Sequence, residues 1–386
     1  MAGWYAELKA EGFATATYGN FFEYGLNILN LDEPLPAACA APGPSPVTDP
    51  IGFAACRTNT LVRGEFVGAA VRDTADPTRQ RLVYSGNFNS TGCDPGDDAW
   101  RAHLVQMYGF VLDATPAQGL AVDRGDWAAL FNVARDDGVS FFAGAVAASL
   151  LQGYMLAARD VGAIYHARGL PVVANLHPFR GDLARSLDGI FDEYGDTGSR
   201  RTADSWLCSG GKVCAAWNHG GTPAVGWDLF LQQHLYSGVW PMAPFANNDH
   251  ALQPGGKGDA FFLAYGALFL AMRGDRAMDL RARPVAVLNV TAGALPLANL
   301  FAAGGGRTAI LVLVQPGGGG GASAVELRYG VAGTGAVAAT AFLPGGPRDG
   351  EPVAVQGSAG GGALALAVPL ARGCAVVVVR SVAAAE

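Results

Sequence analysis

The sequence predicts an α/β chain: a (β/α)8 TIM-type barrel lacking its first strands, followed by an all-β antiparallel sandwich. Three observations predict it. From residue 1 to about 280, short apolar strands alternate with helix-length patterns, the βαβ rhythm of a parallel sheet. Three of those strands, within GLAVDRGDW (119–127), LDGIFDEYGD (187–196) and GVWPMAPFANNDHA (238–251), run into acids, Asn, His or Trp. Ionisable groups gathered at the C-terminal ends of apolar strands are what a barrel enzyme places at its mouth. Beyond residue 280, β-rich runs separated by Gly-rich turns replace the helical pattern. The expected domains are 1–280, a barrel region with a long loop insertion at about 31–97, and 281–386, the sandwich.

Taken in order, MAGWYAELKAEGF reads as a helix running into the strand GFATATYGNF (12–21). Residues 31–97, rich in Pro, Gly, Asp and Thr, read as an excursion above the barrel with only short strand-like pieces such as RLVYSGNF (81–88). A helix at 98–115 precedes the strand GLAVDR (119–124). A long helix over 141–168 stops at Arg168-Gly169 and hands over to LPVVANLH (170–177). LDGIFDEY (187–194) and KVCAAWN (212–218) are the next strands; helices at 225–236 and 259–273 flank GVWPMAPF (238–245). The seven C-terminal runs are PVAVLNV, TAILVLVQ, AVELRYG, AVAATAF, PVAVQG, ALALAVPL and CAVVVVRS. The glycine runs at 304–306, 317–321 and 360–362 read as loop tips, since none precedes the Lys-Ser/Thr of a phosphate-binding loop or opens a helix.

Of 386 residues half are hydrophobic and 15% charged, so a large core is expected. A net charge of −7 without any Lys/Arg cluster argues against a nucleic-acid partner. The apolar stretch 141–158 is interrupted by Ser149, Gln152 and glycines, and 259–272 is too short to cross a bilayer, so no membrane partner is expected and the chain reads as soluble. The six cysteines form no CxxC pair. Cys39, Cys56 and Cys93 in loop-like sequence, and Cys208 and Cys214 around a short turn, suit disulfides in an oxidising compartment. The sequons at Asn89 and Asn289 point the same way, to a secreted or lumenal parent, although the N-terminus has no signal-peptide pattern. Oligomeric state stays open.

Paired carboxylates across a pocket are the equipment of glycoside hydrolysis: one attacks the anomeric carbon and the other, protonated, assists the leaving oxygen. Asp123 follows an apolar strand, with Arg124 beside it to hold it ionised and Asp126 as the competing acid. Asp188, Asp192 and Glu193 all precede Gly195, and crowding of like charges raises at least one carboxyl pKa, as a general acid requires. Glu193 stands furthest along the apolar run; Asp192 is the alternate. The other strand ends supply groups suited to sugar hydroxyls and ring faces: Asn20 and Glu23, Arg124 and Trp127, Asn175 and His177, Trp217, Asn218 and His219, and Asn248, Asp249 and His250.

With these strand ends and a β-rich C-terminus, the chain resembles the retaining α-glycosidase superfamily of α-galactosidases, α-glucosidases and endo-α-N-acetylgalactosaminidases, without matching one family. The resemblance implies a barrel followed by a β-sandwich, a carbohydrate substrate, no cofactor and no metal. It also implies a nucleophile at the end of barrel strand four, which falls on Asp123, and an acid/base at the end of strand six, which falls on Glu193 or Asp192. GFATATYGNF then becomes strand three and LPVVANLH strand five, so strands one and two are missing and the chain reads as part of a longer barrel. Two rival readings remain. A non-catalytic or truncated glycan-binding barrel is one. A metal-dependent barrel hydrolase using His177, His219, His250 and Asp249 is the other, although no HExxH helix or His-x-His pair supports it.

Overall fold

The computed structural model describes residues 2–12, 14–25, 27–31, 33–40, 43–83, 90–123, 131–175, 186–192, 212–216, 225–242, 259–274, 276–278, 285–291, 293–303, 308–315, 323–329, 336–356 and 364–382. The chain divides into two compact units, Met1–Gly189 and Ile190–Glu386.

In the first unit α1 (Ala2–Ala10) leads into β1 (Thr17–Asn20) and β2 (Glu23–Tyr24). There follow α2 (Pro50–Arg63), β3 (Leu82–Val83), β4 (Ser90–Gly92), α3 (Asp98–Ala114) and β5 (Leu120–Asp123). β6 (Phe131–Asn132), β7 (Ser140–Phe142), β8 (Ala145–Ser149), α4 (Leu150–His166) and β9 (Val172–Asn175) complete it. β1, β5 and β9 lie side by side and parallel, as expected of consecutive barrel strands. α3 starts at Asp97, whose side chain accepts from Trp100 N at 3.0 Å, and buries Trp100, Leu104, Tyr108 and Leu112 at a spacing of one helical turn. α4 buries Leu150, Tyr154, Ala157, Val161 and Tyr165 on one stripe.

Three expectations fail in this unit. The helix predicted over 141–168 begins only at Leu150; before it β7 and β8 form a hairpin, pairing Phe142 with Ala145. Its turn, Ala143-Gly144, has positive φ at both residues (50° and 82°), the two-residue turn whose twist suits antiparallel strands. Asp137 clasps the hairpin's base, accepting from the N–H groups of Val139, Ser140 and Ser149 and from the Ser140 hydroxyl. Burial alone would raise its carboxyl, but these bonds, led by that from Ser149, outweigh it and hold the pKa at about 2. Second, the 31–97 excursion contains a 14-residue helix, α2, capped by Asp49 with Pro50 at its first position. A disulfide joins Cys39 to Cys56 on that helix, and Cys214 is also disulfide-bonded. Third, Cys93 is no disulfide partner: it is a free, fully buried thiol.

The second unit opens within β10 (Gly189–Asp192), continues with β11 (Val213–Ala216), α5 (Trp227–Ser237), β12 (Trp240–Pro241) and α6 (Asp259–Ala271), and then becomes all-β. β11 and β12 pair in parallel. The strands that follow are β13 (Arg276–Met278), β14 (Val285–Val290), β15 (Leu297–Ala303), β16 (Thr308–Val314) and β17 (Ser323–Tyr329). After them come β18 (Ala336–Phe342), β19 (Glu351–Val353), β20 (Val355–Gln356), β21 (Leu364–Leu370) and β22 (Cys374–Val382). They form two antiparallel sheets, ordered β13-β15-β16-β22-β18-β19 and β14-β17-β21-β20. Neither β13 nor β15 is among the expected strands. LANLFAA has little β-branched character, but β15 pairs along its whole length with β16, so tertiary pairing overrides local preference.

The central strands of the larger sheet, β16 and β22, are buried on both faces. Leu311, Leu313, Ala375, Val377 and Val379 share one apolar cluster with Leu366, Val368 and Leu370 of the smaller sheet. The alternate residues Ile310, Val312, Val314, Val376 and Val378 pack with Phe230, Leu235, Leu268 and Phe269 of α5 and α6. Each such Val or Leu contributes roughly 1.5–3 kcal/mol of burial. Continuous runs such as AILVLV and AVVVV follow from this, because neither side of the strand meets water. The Gly-rich runs at 304–306, 317–321 and 360–362 lie outside the described residues. Among the described residues no helix is long and apolar enough to cross a membrane.

Candidate active site

The parallel strands of the first unit stop in register. Asn20 ends β1 and is the direct partner of Asp123, which ends β5; Asn175, one step beyond the Val122–Ala174 pair, ends β9. The residues just before them, Val122 and Ala174, are fully buried, so the sheet changes from apolar to polar at one line. In a parallel sheet that line is where ligands meet the fold.

Asp123 is half-buried. Its Oδ1 accepts a hydrogen bond from Asn175 Nδ2 at 2.9 Å, and Oδ2 has no partner among the described residues. Asn175 is itself buried, so its amide is a fixed donor. Sequence reasoning gave the role of holding Asp123 to Arg124, which lies outside the described residues. The partner seen among the described residues, Asn175, was detectable as the residue at the matching position of the next strand. Asn20 does a different job. Its Oδ1 accepts from Phe22 N at 2.8 Å and Glu23 N at 3.1 Å, a side-chain turn that redirects the chain from β1 into β2. Its Nδ2 has no partner among the described residues. Glu23, half-buried, follows on β2, where it pairs with Gly92.

Beneath Asn20 the aromatic residues are packed as core. The Tyr108 hydroxyl donates to the Asn20 carbonyl at 3.2 Å, and burial pushes that phenol's pKa up. The Trp100 indole N–H donates to Phe21 O at 2.9 Å, and its ring meets Tyr24, Phe66 and His103 at centroid distances of 4.9–5.3 Å.

Asp188 stands apart from the end of β10, so it does not join any cluster of acids there. Asp188 precedes β10, where its Oδ2 accepts from Val172 N at 2.7 Å and meets His166 Nε2 at 2.7 Å. Those partners sit at the start of β9 and the end of α4, the opposite end of the strands from Asp123. An extended strand sets Asp188 and Asp192 about 13 Å apart along the backbone. Asp192 ends β10; its side chain, and Glu193, Arg124, Asp126, Trp127, His177, Trp217, Asn218, His219, Asn248, Asp249 and His250, lie outside the described residues. Among the described residues no group of three His, Cys, Asp or Glu side chains could hold a metal ion.

No protein-family model matches the chain, and no curated protein matches it in sequence. Among solved structures it is similar to a cycloisomaltooligosaccharide glucanotransferase from Paenibacillus sp. in complex with cycloisomaltoheptaose, at 8% identity over 81% of this chain and 70% of that one, with a TM-score of 0.55. It is also similar to an α-amylase from Malbranchea cinnamomea, at 10% identity over 98% of this chain and 77% of that one, with a TM-score of 0.53. At these identities the likeness is one of fold, α/β with a parallel sheet.

Proposed function

We propose that the chain is the catalytic region of a glycosidase: a (β/α)8-type barrel to about residue 280 and a β-sandwich from 281 to 386, cleaving O-glycosidic bonds with retention. The observation that carries this reading is Asp123 at the C-terminal end of the middle one of three parallel strands, its Oδ1 taken by Asn175 and its Oδ2 without a partner among the described residues. The fold shared with two proteins of carbohydrate-active name, one of them holding cycloisomaltoheptaose, supports a carbohydrate substrate.

In this reading Asp123 Oδ2 attacks the anomeric carbon while the Asn175 amide fixes the carboxylate's rotation. The acid at the end of β10, Glu193 with Asp192 as alternate, protonates the leaving oxygen. It then takes a proton from the water that hydrolyses the glycosyl-enzyme. Asp126 is the alternate nucleophile. Retention requires the two carboxyls to lie about 5–5.5 Å apart.

A panel of aryl α- and β-glycosides tests the assignment. Asp123→Ala should bring hydrolysis to background and Glu193→Gln should lower it about 10²–10⁴-fold, with both variants melting like wild type. NMR of the first-formed anomer reads retention directly. Two variants that kept wild-type turnover would sink the proposal.

A further inference from the structure

A cavity of about 240 Å³ lies in the first unit between the loop preceding α3 and the start of α4. Arg135, Asp136, Asp137 and Gln152 line it. Its wall rests on a buried charge. The Asp94 side chain, fully buried, accepts from Gly96 N at 2.7 Å, from Asn132 Nδ2 at 3.3 Å and from Arg135 Nη1 at 2.7 Å. Backbone and side chain approach closely here: a Cβ on Gly96 would come within 2.4 Å of Arg135 Nη1, and one on Gly153 within 2.3 Å of Gly96 N. The guanidinium is therefore positioned by the core before any ligand arrives.

What remains open defines the ligand. Arg135 has Nε and Nη2 without partners among the described residues, Asp136 spends Oδ1 on Gly138 N and keeps Oδ2, and the Gln152 amide makes no hydrogen bond there. Asp137 is fully used, with each carboxylate oxygen accepting two bonds. A cation in this cavity would face Arg135, and an anion would face the Asp136 and Asp137 carboxylates. A space lined by donors and acceptors and by charges of both signs matches the vicinal hydroxyls of a sugar, which both donate and accept. The volume is below the roughly 300–1,000 Å³ of a drug-sized site, so it suits one ring.

We propose that this cavity holds one ring of a neutral oligosaccharide, through residues distinct from the Asp123 strand end. This deepens the glycosidase reading and rests on it for the choice of a carbohydrate. The test is calorimetric titration of isomaltoheptaose and of maltoheptaose into the full chain carrying Asp123→Ala, with and without Asp136→Ala and Gln152→Ala. Both of these side chains are exposed, so the fold should survive. Affinity for the heptasaccharide that binds should fall at least tenfold, while Asp136→Ala with Gln152→Ala in an otherwise native chain should leave aryl monoglycoside turnover unchanged. Arg135→Lys, which keeps a charge opposite Asp94 but loses the planar fork, should also weaken binding. Binding indifferent to these substitutions, or no binding of either sugar, overturns the proposal. If wild type binds a heptasaccharide through this cavity but cleaves no aryl glycoside, the catalytic reading fails and this one stands.

Discussion

The parallel strands β5 and β9 of the first unit and the long strands of the second are apolar, but they spend that character differently. β1, β5 and β9 are four residues each and end together in Asn20, Asp123 and Asn175. β16 and β22 are seven and nine residues, with apolar side chains on both faces between a helical layer and a second sheet. Polarity on the short strands appears where the strand stops, and that is where chemistry can sit. The long strands present no such line of side chains, so their substitution should cost stability and not turnover.

The largest effect expected from this contrast is on the long strands. Leu311→Ala removes a side chain buried from both sheets and should destabilise the chain by about 2–5 kcal/mol in a urea melt, with aryl-glycoside turnover per folded molecule unchanged. A cost below about 1 kcal/mol would break the contrast. The excursion of the first unit is held in another way, by the Cys39–Cys56 disulfide and by a small apolar cluster of Ile28, Val62 and Ala70. Replacing Cys39 and Cys56 by Ser should cost about 3 kcal/mol, the chain-entropy figure for their separation of 17 residues, read from non-reducing thermal unfolding. Asn175→Ala should act mainly on catalysis, lowering kcat about 10–100-fold by freeing the Asp123 carboxylate, and costing stability only about 1–3 kcal/mol. A change in KM alone would reassign Asn175 to binding.

The smallest effect depends on pH. The folded-state pKa of Asp137 lies at about 2, below its unfolded value, so its stabilisation is complete above the unfolded pKa and is lost as pH falls towards 2. Asp137→Asn should therefore weaken the chain at pH 6, and the gap to wild type should close below about pH 4. A gap that persists at pH 2 would mean that the hairpin's base depends on shape and not on charge.

The strand ends were legible because an apolar run and its polar terminator are both written locally. Asp123 and Asn175 stand where GLAV and VVA stop. The hairpin before α4 was not, since FFAGAVAAS is as apolar as the helix it joins, and only Gly144 of its two turn residues is a usual turn signal. α2 carried a readable start in Asp49-Pro50, hidden in a segment whose composition says loop. Asp188 was misjudged because nearness in sequence is not nearness in an extended strand. The continuous runs in β16 and β22 pointed beyond two packed sheets to a third, helical layer, which only tertiary contact reveals.

Among the described residues each unit carries one free cysteine, Cys93 in the first and Cys374 in the second, both at 0% exposure. Burial raises both thiol pKa values, helped by Asp94 and Asp97 at Cys93 and by Asp228 at Cys374. Because the thiolate is the reactive form, an alkylating reagent meets two silent sulfurs for as long as each half stays closed. The protein thus carries a built-in tag on either side of its division, and the order in which those tags gain mass reports which half breathes first.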